Sequence, residues 1–157
     1  IAVAGYHIAR YLRGSVKLSL PQTAFDPGSD IKGSFELKTR KAIEGKRLIV
    51  SLIGNEVTET RRDGKTETRQ QEIYRNEKII EGERVYQAGY ENKYDFEIPA
   101  PKASAPEFMN SPLAGALASA ASLLTNRRTR VEWKLEARLV AKGIDLVGSK
   151  RVSINPE

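Results

Sequence analysis

Cysteine is absent, and there is a single histidine, His7. No disulfide framework is available, and the usual zinc sites, which combine several Cys and His ligands, cannot be assembled. The lack of cysteine suits a reducing compartment. Long apolar runs are missing too: nothing approaches the roughly 20 consecutive residues that a membrane-spanning helix needs, and no stretch has the order of a signal peptide. The chain starts at Ile1 rather than Met, so a leader could precede this numbering. The expectation is a soluble, cytoplasmic protein. There is no Gly-rich phosphate cradle, no Cys nucleophile and no Ser in a strained strand-to-helix elbow. No catalytic or metal residue is therefore assigned, and no cofactor is expected. His7 lacks a Ser or carboxylate partner in sequence and reads as an ordinary surface or half-buried imidazole. Aromatics make up only 7% of the chain, and the Arg127-Arg128-Thr129-Arg130 cluster has just Trp133 nearby, so nucleic acid is a disfavoured partner.

Charge, by contrast, is plentiful. Asp, Glu, Lys and Arg supply 29% of the 157 residues, with a net charge of +6 and a pI of about 9.6. This excess reads as solubility charge, and it also permits contact with nucleic acid or an anionic membrane surface without demanding either. The length suits one domain with a core of its own.

The clearest pattern is the alternation from Thr129 to Leu139. Val131, Trp133, Leu135, Ala137 and Leu139 fall on one side of an extended chain, and Glu132, Lys134, Glu136 and Arg138 on the other, which is the period of a strand with one dry face. Trp133 belongs to the inward set and is expected in the core rather than as a sugar-stacking platform. Similar alternation predicts strands over Val16–Leu20, Ile31–Leu37, Leu48–Thr60, Thr66–Lys78, Val85–Ile98 with a break at Gly89, and Ser149–Asn155. Residues 142–148 form a long loop or a brief strand with a bulge at Gly148. Asp26 and Asp30 bracket a Pro27-Gly28 turn whose chemistry needs no calcium. Lys38 to Arg47 reads as a basic loop. Asp63-Gly64 is a strong hairpin signal that sets Arg62 opposite Lys65 and Thr60 opposite Glu67, at the tip of a ribbon polar on both faces.

Two short helices are expected. One spans residues 1–14 and is stopped by Gly14; the other opens at Ser111-Pro112, runs to about Thr125, and carries the stripe Leu113, Leu117, Ala120 and Leu124. The rest, 15–157, reads as a single sandwich domain. If successive strands run antiparallel, the 21–30 turn, the 62–65 tip and the 100–128 insertion share one end, and the 38–47, 81–84 and 142–148 connections share the other. The candidate partner-binding set is therefore Arg61, Arg62, Lys65, Leu113, Leu117, Leu124, Arg127 and Arg128, an apolar stripe ringed by cations. The same helix could instead fold back over the sandwich and cap its core.

About seven antiparallel strands with little helix predict an all-β, immunoglobulin-like sandwich. The residues also resemble a family. Phe25-x-Pro27-Gly28-x-x-Ile31-x-Gly33-x-Phe35-x-Leu37, then Leu48-x-Val50-x-Leu52-x-Gly54, then Ala88-Gly89 with Tyr94-x-Phe96-x-Ile98-Pro99, then the Val131–Leu139 alternation, are similar in order and spacing to the arrestin N-terminal domain. The resemblance implies an arrestin-type sandwich, a group that includes the arrestin-fold subunit of retromer and bacterial sporulation-control proteins. It implies a non-enzymatic adaptor or scaffold, and the stripe ringed by cations would suit a protein partner with an acidic or peptide segment. Self-association through the 111–125 helix is a further expectation. The alternative is a sandwich domain that binds carbohydrate or another small ligand. Arrestins have two sandwiches and this chain has length for one, so the cradle between domains does not carry over.

Overall fold

The alternating segment around Trp133 is a central strand of the larger of two sheets, in a computed structural model that describes residues 12–102 and 127–154. Nine strands are formed by these residues: β1 (Gly14–Ser19), β2 (Ala24–Phe25), β3 (Asp30–Thr39), β4 (Ile43–Arg62), β5 (Lys65–Glu81), β6 (Arg84–Tyr86), β7 (Glu91–Pro99), β8 (Arg127–Ala141) and β9 (Leu146–Ile154). The smaller sheet has the order β1-β3-β7, and the larger β2-β9-β8-β4-β5, with β6 also paired to β4. All pairings are antiparallel except the short β2–β9 pair. The inward residues of both sheets, Leu18, Ile31, Phe35, Leu37, Leu48, Val50, Leu52, Phe96, Ile98, Trp133, Leu135 and Leu139 among them, form one core. This is a β-sandwich, as the alternation requires.

Four details differ from the sequence reading. There are nine strands rather than about seven, because two very short ones pair at the margins. The basic stretch from Lys38 to Arg47 is mostly strand: β3 runs to Thr39 and β4 starts at Ile43, and both residues are buried. Lys and Arg there occupy wet faces, and their number disguised a period of two. The segment 85–98 breaks around Gly89 as expected, but its two halves join different sheets, β6 pairing with β4 and β7 with β3. The crossing is anchored by Thr39, whose hydroxyl donates to the Gln87 carbonyl at 2.6 Å and accepts from the Tyr90 amide at 3.1 Å. Finally, β9 is continuous through Gly148 in unbroken register with β8. Glycine stands there because a Cβ would lie 2.3 Å from the Val16 carbonyl oxygen of the facing sheet. Of the expected N-terminal helix, only Leu12 and Arg13 fall among the described residues, where they have helical backbone; His7 and the stretch 111–125 expected as a helix lie outside them.

Strand β4 is buried on both faces through its middle. Leu48, Val50 and Leu52 point into the core, while Ile49, Ile53 and Val57 are buried on the opposite face. Their cross-strand neighbours there include Arg138, Lys134 and Arg130 on β8 and Arg75 on β5, long side chains whose methylenes can cover apolar surface while the charge stays wet.

Candidate functional site

Beyond the core, β4 and β5 continue as a ribbon that the smaller sheet does not reach. Asp63 and Gly64 close it with φ values of 50° and 75°, the left-handed pair that a two-residue hairpin turn demands, and Arg62 lies opposite Lys65 and Thr60 opposite Glu67. The start of β8 runs along the other side of β4, with Arg127 paired to Thr60 and Arg128 to Glu59. Arg61, Arg62, Lys65 and Arg128 are thus gathered at one end of the molecule, all exposed, together with the point where β8 begins. The turn near Gly28 belongs to this end as well, because β2 pairs with the last residues of β9. Its Gly28 amide donates to the Pro101 carbonyl at 2.9 Å.

Period two divides these cations. Arg62 and Lys65 share the face that continues the core side of the sheet, and Arg61 and Arg128 share the other. Arg127 is placed here by its backbone register alone. None of Arg61, Arg62, Lys65 and Arg128 forms an ion pair with a described residue. One pair further in, Arg130 is held by Glu59 at 2.8 Å and Glu132 at 3.0 Å, and these hydrogen bonds raise its pKa above the ordinary guanidinium value. Leu113, Leu117 and Leu124 lie outside the described residues.

At the opposite end of β5 sits the most organised polar cluster, which sequence reasoning missed. The Glu81 carboxylate accepts from Tyr86 at 2.8 Å, from Tyr94 at 2.7 Å and from Arg84 at 2.8 Å. Tyr90 and Tyr94 share a hydrogen bond of 2.5 Å between their hydroxyls, and the Arg84 guanidinium lies about 5 Å from the centres of the Tyr86 and Tyr90 rings. Burial pushes the Glu81 pKa up, but the bonds from Tyr94 and Tyr86 and the charge of Arg84 outweigh it, leaving the carboxyl below its ordinary value. Burial, reinforced by the neighbouring carboxylate, holds the Tyr86 and Tyr94 hydroxyls well above the usual phenol range. The carboxylate's donors come from both sheets, Tyr86 and Arg84 from the larger and Tyr94 from the smaller, so the cluster works as a clasp between them. Tyrosines at 86, 90 and 94 carry no signal of this in sequence, because only the division of 85–98 between two sheets turns them towards Glu81.

A cleft of about 800 Å³ opens where β1 ends, lined by Leu20, Pro21, Gly33 and Phe96 with Lys32, Lys78, Asp95 and Glu97. Lys78 spans it, donating to the Glu97 carbonyl at 3.1 Å. Every aromatic among the described residues is buried or half-buried, Trp133 included at 4% exposure. Among the described residues no group of three or more His, Cys, Asp or Glu is placed to hold a metal ion, and no helix is long and apolar enough to cross a membrane.

Two facing sheets in this strand order, closed at one margin by a parallel β2–β9 pair, define an arrestin-like β-sandwich. Among solved structures the chain is similar to that of Spo0M, a sporulation control protein from Bacillus subtilis, with a TM-score of 0.61 and 16% sequence identity over 92% of this chain and 50% of that one. The chain therefore spans half the length of Spo0M, and the likeness is one of fold. No protein-family model and no curated protein sequence matches it.

Proposed function

We propose that the domain is a non-enzymatic adaptor or scaffold module that docks an acidic segment of a protein partner on the ribbon end. The observation that carries this reading is the set of exposed cations Arg61, Arg62, Lys65 and Arg128, which have no carboxylate partner among the described residues although carboxylates are abundant elsewhere on the same strands. Unpaired charges of one sign at an accessible end steer and select an oppositely charged segment. A regulatory rather than catalytic role is in keeping with the name of Spo0M, a sporulation control protein.

The test is fluorescence anisotropy with a labelled Glu-rich peptide at two salt concentrations. Binding is expected to weaken with salt, and combined Arg61→Glu, Arg62→Glu and Lys65→Glu should weaken it by roughly tenfold or more without lowering the melting temperature. Equal affinity of the variant for the peptide would sink the reading, and binding of anionic vesicles but not the peptide would move it to a membrane surface. A second reading, a small-ligand or carbohydrate domain, is favoured by the cleft beside Leu20 and Phe96. Its mark would be a sugar-dependent rise in melting temperature that Lys78→Ala removes.

A further inference from the structure

Strand β5 is an edge of the larger sheet, and from Lys65 to Glu72 all of its residues are exposed. The Asp63-Gly64 turn makes Arg62 and Lys65 a hydrogen-bonded pair, so Lys65, Glu67, Arg69 and Gln71 direct their amides and carbonyls to β4. By alternation, Thr66, Thr68 and Gln70 direct theirs outward. Such a row is a template for another strand, and natural edges usually carry a proline, a bulge or a cover to prevent it. Between the turn and the register shift that leaves Ile73 unpaired, the described residues supply no proline, bulge or cover, and the charges that also guard edges, Glu67 and Arg69, are of opposite sign.

We infer that this edge pairs with the same edge of a second copy, antiparallel, about a two-fold axis at Thr68. Thr68 and Arg69 are the two central residues of the regular stretch from Lys65 to Glu72, which is bounded by the turn on one side and the irregular step at Ile73 on the other, and the side-chain charges choose Thr68. In this register the outward-directed groups meet each other: Thr68 meets its own copy, and Thr66 meets Gln70 of the second copy, each pair exchanging both hydrogen bonds. Glu67 then faces Arg69 of the second copy, and Arg69 faces its Glu67. These are the non-hydrogen-bonded positions, where opposite side chains stand closest and charge complementarity counts most. A centre on Glu67 or on Arg69 sets that charge against itself, a centre on Gln70 sets Lys65 against Arg75, and a centre on Thr66, which also sets Lys65 against Glu67, runs into the turn at Gly64 and shortens the ladder. The interface is isologous, as a two-fold dimer requires, and small, so the association is weak and concentration-dependent.

Sedimentation velocity from roughly 10 μM to 1 mM tests the inference with the intact chain. A reversible monomer–dimer equilibrium is expected. Glu67→Arg alone sets two arginines face to face twice, Arg69→Glu alone sets two glutamates so, and each should weaken the dimer by roughly tenfold. The combined Glu67→Arg, Arg69→Glu variant should restore it, because the swapped charges are again complementary. Thr68→Pro, which removes an outward amide and none that bonds β4, should abolish it with an unchanged β-sheet circular dichroism spectrum. A chain that stays monomeric throughout the range overturns the inference. So does a dimer indifferent to the single reversals, as one formed through residues 111–125 would be.

Discussion

Gly54 sits directly between two aromatics, paired with Trp133 on β8 and with Tyr74 on β5, and its missing side chain is what lets the indole lie flat against the sheet. A Cβ there would stand 2.7 Å from one ring carbon of Trp133 and 3.0 Å from two others. The indole cannot yield easily, since it is 4% exposed and Tyr74 packs edge-on against it with ring centres 5.4 Å apart. Gly54→Ala therefore requires a buried ring to move by several tenths of an ångström, an overpacking that costs about 1–3 kcal/mol. Restricting the unfolded chain returns about 0.4–1 kcal/mol, because glycine loses the most freedom on folding. The net destabilisation is roughly 0–2.6 kcal/mol, or a fall in melting temperature of about 2–4 °C per kcal/mol for a chain of this size. Removing the obstacle should reverse the sign. In a Trp133→Leu background, itself destabilised by roughly 2–4 kcal/mol, Gly54→Ala should be neutral or slightly stabilising. Urea denaturation of the four proteins followed by circular dichroism measures the coupling. Equal losses from Gly54→Ala in both backgrounds would refute the steric argument and leave only an effect on the unfolded state or on local backbone.

Glu81→Gln should flatten the acid limb of the stability curve. The carboxyl is held below the ordinary glutamate range, so its contribution is present above that range and disappears as pH falls through the lower native value. Melting temperatures between about pH 3 and pH 7 check this, and parallel curves for the two proteins would contradict it. Gly148→Ala should destabilise by about 3 kcal/mol or more, because the contact is with a rigid backbone carbonyl of β1 rather than a side chain that can turn away. Its unfolding midpoint in urea is the measurement. Arg61→Glu and Arg62→Glu, at exposed positions, should each leave stability within about 0.5 kcal/mol of the parent by the same assay.

Local pattern carried much of this protein on its face. The alternation from Val131 to Leu139, the inward place of Trp133, the Asp63-Gly64 turn and the polar ribbon behind it all follow from period two and from turn stereochemistry, which act between residues a few positions apart. The likeness in residue order to the arrestin N-terminal domain also pointed to the observed sandwich. What stayed hidden involves partners far apart in the chain. Nothing local tells that Tyr86 joins one sheet and Tyr94 the other, that Glu81 lies between them, or that Thr39 ends a strand inside a stretch crowded with Lys and Arg. The ribbon cations were recognisable as a group, yet their division between two faces depends on the register of β4 against β5 and β8. Strand β4 is buried on both faces, and only the sheet order places long cross-strand neighbours, Arg138, Lys134, Arg130 and Arg75, beside Ile49, Ile53 and Val57. Side-chain period is a property of the backbone and can be read residue by residue; which strand becomes a neighbour is settled by burial summed over the whole chain, and that sum exists only in the folded molecule.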